Sequence, residues 1–117
     1  MAALKRIVLA LILAGFCSPA AAHAFLEKAT PSAGATLRVA PAKIELSFSE
    51  ALEPAFSGVT VTNAASADMS TAPSVASGTQ MSLSLGMLKP GRYRVRWHAV
   101  SVDTHRTDGR YDFTVLP

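Results

Sequence analysis

Of the three histidines in this chain, His23 stands directly after Ala20-Ala21-Ala22, a small-residue A-x-A cleavage pattern. Cutting behind Ala22 would make His23 the first residue, with its α-amine free beside its imidazole. The amine and Nδ1 of an N-terminal histidine close a six-membered chelate ring, and both are neutral nitrogen donors that suit Cu(II). Further along, Ser101-Val102-Asp103-Thr104-His105 offers a carboxylate and an imidazole two positions apart. In an extended segment those side chains leave on the same side. Joined to His23, they would complete a set of nitrogen and oxygen donors fitted to tetragonal Cu(II). Spacing alone does not bring the N-terminus to this loop. Taken by itself, D-x-H reads more readily as a turn in which Asp103 caps backbone amides and His105 is solvated. The N-terminal histidine reverses that weighting.

The other chemistry-bearing residues carry plainer expectations. Glu50, at the end of a strand pattern, is placed to orient His23 or hold a water near a metal, and equally well to be an exposed strand-end carboxylate. His98 shares the outward parity of its strand with Arg94 and Arg96, whose charges oppose a bound cation, so it reads as a solvated strand histidine. Met69 is the only methionine between Ala64 and Gly78, while Met81 and Met87 read as core filler. No serine, cysteine or paired-carboxylate constellation suggests hydrolysis.

Residues 1–22 read as a secretory leader. Lys5 and Arg6 form the basic start, Ile7 to Phe16 an apolar run too short to span a bilayer, and Ser18-Pro19 breaks the helix before the cleavage site. Without a twin-arginine pair, the leader points to the general secretory route and the bacterial periplasm, with no stable membrane insertion after cleavage. The mature domain is then 23–117. Losing Lys5 and Arg6 leaves nine basic against eight acidic side chains, so its charge is about +1 and gives no warrant for a nucleic-acid partner. Cys17 leaves with the leader, so no disulfide remains and the domain must rest on its core.

The elements that must position these ligands alternate with period two. Lys43 to Ser49 places Ile44, Leu46 and Phe48 on one face; Gly58 to Asn63 and Met81 to Leu85 repeat the pattern. Gly91 to Val100 turns Tyr93, Val95, Trp97 and Ala99 inward and Arg92, Arg94, Arg96 and His98 outward. Gly109 to Leu116 closes the chain, and His23 to Ala29 reads as an edge strand. Ala64 to Gly78 reads as one long, mobile loop. No stretch has a helical period. About seven short strands predict an all-β, immunoglobulin-like sandwich.

The opening HAFLEKATPSAGATL, the central IELSFSEALEPAF and the closing YRVRWHAVSVDTHRTDGRYDFTV resemble the CopC family of periplasmic copper-binding, copper-resistance proteins. The resemblance spans the mature chain in order. It implies a Greek-key β-sandwich or barrel and one Cu(II) per chain at His23, Asp103 and His105. Where many members of that family carry Gly between the Asp and the His, this chain has Thr104. With Met69 alone in the long loop, the chain resembles the Cu(II)-only branch, which lacks a methionine-rich Cu(I) site.

Two functions of different class follow. The first is a non-enzymatic periplasmic protein that sequesters Cu(II) or delivers it to an inner-membrane copper transporter or a copper-receiving protein. The alternative is a copper-dependent oxidative enzyme with a histidine-brace-like site, of the polysaccharide monooxygenase type. A brace needs a second in-plane histidine and an open position for oxygen, whereas here Asp103 would fill the fourth position. Both tyrosines and the tryptophan fall on the inward parity, leaving no aromatic substrate platform. The binding reading is favoured.

Overall fold

A computed structural model describes residues 23–117. The expected leader and its cleavage point lie outside the described residues. Eight strands form: β1 (Leu26–Thr30), β2 (Thr36–Leu37), β3 (Lys43–Phe48), β4 (Gly58–Thr62), β5 (Val75–Ser77), β6 (Gln80–Ser84), β7 (Gly91–Val100) and β8 (Arg106–Val115). They make two four-stranded sheets, one ordered β1-β3-β6-β5 and the other β2-β8-β7-β4. Every pairing is antiparallel except β2 on β8. The one helical piece among the described residues is a 3₁₀ turn at Pro54–Phe56.

The alternation is what closes the sandwich. Ile44, Leu46 and Phe48 of β3 and Met81 and Leu83 of β6 are buried in one cluster with Val59 and Val61 of β4, Tyr93, Val95 and Ala99 of β7, and Phe113 and Val115 of β8. Each of these five strands thus gives one face to the interior and the other outward. Trp97 keeps the inward parity but is only half-buried; its ring meets Phe48 of the opposite sheet edge-on, with centroids 5.2 Å apart. Its register partner is Gly109, where an added Cβ would come within 2.6 Å of the indole. Gly109 is glycine because the ring needs that space.

Four local expectations are corrected. Ala64 to Gly78 is not one open loop: it contains β5, and the bridges Thr62↔Asp68 and Ser70↔Leu85 tie down the rest. Elements of two or three residues, such as β2 and β5, are too short to show alternation. The first strand begins at Leu26 rather than His23, and the last at Arg106 rather than Gly109, which shortens the loop after β7 to Ser101–His105. Met81 is core, but Met87 is 96% exposed and fills nothing.

Candidate metal centre

His23 reaches the loop because hydroxyls fasten the segment that carries it. Ser49, just past β3, donates through Oγ to the His23 carbonyl oxygen at 3.2 Å and accepts from the Phe25 amide at 2.8 Å. The Ser49 amide in turn donates to the Phe25 carbonyl at 2.9 Å. From the other sheet, the Thr107 hydroxyl donates to the Ala24 carbonyl at 2.7 Å, and the Ala24 side chain is fully buried. The segment is therefore held between the end of β3 and the start of β8. No spacing pattern marks Ser49 or Thr107, so the sequence gives no signal for them.

Between β7 and β8 the chain makes a tight turn. The Thr104 amide donates to Ser101 O at 2.8 Å and the Ser101 amide to His105 O at 2.9 Å. Thr104 sits at φ +76°, the left-handed region that glycine occupies without steric cost. Asp103 and His105 meet because of this turn, not because of strand parity as the extended reading expected. Asp103 Oδ2 lies 3.1 Å from His105 Nδ1, and the His105 amide donates to Oδ1 at 3.3 Å. The buried Ser101 hydroxyl also donates to Asp103 Oδ1. That bond, reinforced by those from His105, holds the Asp103 carboxyl below its ordinary value, so it is ionised at neutral pH.

The His105 ring stacks on the His23 ring with centroids 4.6 Å apart and planes 17° from parallel; His23 also stacks on Phe25 at 5.9 Å. The structure thus gathers all three expected ligand residues at one end of the sandwich. Among the described residues, no three His, Cys, Asp or Glu side chains already converge as in a filled metal cluster. The stacked rings must splay before their nitrogens can face one ion. The donor chemistry, imidazole and carboxylate with an amine available on cleavage, fits copper.

Glu50 is exposed, and its side chain has no polar protein partner among the described residues; its neighbour Ser49 makes the contacts to the N-terminal segment. His98 lies elsewhere, half-buried across Gly58, with its Cε1 3.1 Å from where a Cβ would stand. Met69 and Met87 line one surface groove, but alongside Lys89 and Arg92 and with no histidine.

The CopC domain matches residues 26–116. Protein YobA of Escherichia coli strain K12 is 39% identical over 115 residues, covering 94% of this chain and 93% of its own length. Among solved structures, CopC from Methylosinus trichosporium OB3b aligns with a TM-score of 0.75 at 28% identity, covering 81% of this chain and 95% of that one. PcoC, a methionine-rich copper resistance protein from Escherichia coli, aligns with a TM-score of 0.69 at 39% identity, over 80% of this chain and 99% of its own. The match along almost the whole described sandwich makes this chain a member of the CopC family of copper proteins.

Proposed function

We propose that the processed chain binds one Cu(II) through the amine and imidazole of His23, the Asp103 carboxylate and the His105 imidazole. It would hold the ion in the periplasm for sequestration, resistance or delivery to an inner-membrane transporter or another copper-receiving protein. The observation that carries this reading is the stack of His23 on His105, with Asp103 3.1 Å from the same ring. Copper taking both rings would draw the stacked imidazoles apart, while the Asp103 carboxylate already lies beside His105. Glu50, facing water beside Ser49, would act through solvent to orient His23. With Asp103 in the fourth position no site is left open for oxygen, which supports binding over oxidative catalysis. No thiolate is present in residues 23–117, and the two methionines that share a groove sit among cations, which favours Cu(II) over Cu(I).

The test compares a protein beginning at His23 with one carrying an extra Met before it. The added residue converts the amine to an amide and should weaken Cu(II) binding on the order of a hundredfold or more, about 2.7 kcal/mol. Equal affinities by competitive titration would sink the chelate.

A further inference from the structure

The outward face of the β4–β7–β8 sheet concentrates charge that the copper site does not use. Arg92, Arg94 and Arg96 of β7 and Arg106 and Arg110 of β8 are all exposed on it, against only Asp108 and Asp112. Five cations against two carboxylates give the face a charge of +3. The rest of residues 23–117 has four cations, Lys28, Arg38, Lys43 and Lys89, against six carboxylates, or −2. A domain near neutrality as a whole is therefore strongly polarised.

The strand register sharpens this. Arg94 lies opposite Asp112 and is paired with it at 2.9 Å, and Arg92 reaches the same carboxylate at 4.0 Å. Arg96, however, lies directly opposite Arg110, and among the described residues neither guanidinium is in an ion pair. Like charges directly across an antiparallel pair destabilise a sheet. The two arginines edge a groove of about 480 Å³ that Thr60, His98 and Arg106 also line.

We infer that this arginine face is a docking surface for a carboxylate-rich face of another protein. Arginine forks match carboxylates two bonds at a time, and lysine is absent from the face. A membrane surface is the poorer occupant. Interfacial binding draws on apolar side chains that insert, and none of the exposed large hydrophobics Phe25, Val39, Phe56, Val75, Met87 or Val102 belongs to β4, β7 or β8. Because β8 leads back into His105, a partner on this face would stand beside the histidine end of the sandwich. The inference does not depend on which metal that end binds.

The probe is a decaglutamate peptide titrated into isotopically labelled protein beginning at His23, followed by amide shifts. Shifts should centre on Arg96, Arg110 and their neighbours, and affinity should fall steeply from low to physiological salt. The pair Arg96→Glu and Arg110→Glu should lose at least about tenfold in peptide affinity, near 1.4 kcal/mol, while copper binding is kept. Arg96→Thr, which removes the like-charge contact, should raise the unfolding temperature and weaken the peptide. Shifts scattered over Lys28, Arg38, Lys43 and Lys89, or undiminished binding by the charge-reversed pair, would overturn the proposal. So would binding through this face to phosphatidylglycerol vesicles when the peptide does not bind.

Discussion

The Thr107 hydroxyl donates to the Ala24 carbonyl oxygen at 2.7 Å, across 83 positions of sequence. It joins the residue after His23 to the strand that begins after His105, so both halves of the proposed site hang from one point. Thr107→Val keeps the side-chain shape and removes the donor. The loss should be about 1 kcal/mol of stability. Because the bond also sets where His23 can stand, Cu(II) affinity should fall about tenfold. Thermal unfolding and competitive Cu(II) titration of the same variant read the two effects apart; unchanged affinity would make the bond a fastening of the fold alone.

The choice among the histidines is testable by spectroscopy. His105→Ala removes one nitrogen and Asp103→Ala one anionic oxygen, and each should weaken Cu(II) by about tenfold or more, at least about 1.4 kcal/mol. His98 lies across Gly58 and has no place in the proposed set, so His98→Ala should change neither affinity nor the electron paramagnetic resonance signal. Wild type should give a tetragonal signal with nitrogen couplings that His105→Ala simplifies. A signal altered by His98→Ala and untouched by His105→Ala would assign the wrong ring.

What the sequence made legible follows from periodicity. Ile44, Leu46, Phe48, Tyr93, Val95 and Phe113 alternate over strands long enough to show their parity, and each is buried. The ligand residues were legible by type: a histidine placed to become N-terminal and an aspartate–histidine pair. Their meeting was not, because it rests on hydroxyls that no periodicity marks: Ser49 and Thr107 bind the N-terminal segment across 26 and 83 positions, and Ser101 binds Asp103 inside the turn. The turn was hidden for a related reason. Thr104 at φ +76° occupies a conformation its residue type disfavours, so alternation through Ser101–His105 reads as extended when the backbone reverses. The arginine stripe of β7 was visible, but its continuation through Arg106 and Arg110 needed the register of β8.

Gly109→Ala tests how closely β7 and β8 are fitted around the indole. The new Cβ would stand 2.6 Å from Trp97 Cζ2 and 2.9 Å from Cε2, distances that force the ring or the strand to move. Trp97 is held edge-on by Phe48, so it cannot yield freely. The substitution should cost about 1–3 kcal/mol, as overpacking does. Trp97 is the sole tryptophan, so its fluorescence reports the displacement directly. An unshifted spectrum with unchanged stability would show that the indole has room to spare.

Tyr111 carries a buried hydroxyl with no hydrogen-bond partner among the described residues, and burial pushes its pKa up to about 12. Tyr111→Phe removes the unsatisfied oxygen and keeps the ring, and should stabilise the fold by about 1 kcal/mol. The sign with pH follows from linkage. An unfolded tyrosine ionises near pH 10, so below that the phenol is neutral in both states and its contribution is flat. Between about pH 10 and pH 12 the unfolded chain releases the proton while the folded chain keeps it, and stability falls as pH rises. Denaturant unfolding across that window should show a steeper decline for wild type than for Tyr111→Phe. Parallel curves, or a variant less stable than wild type at neutral pH, would mean that the hydroxyl has found a partner after all.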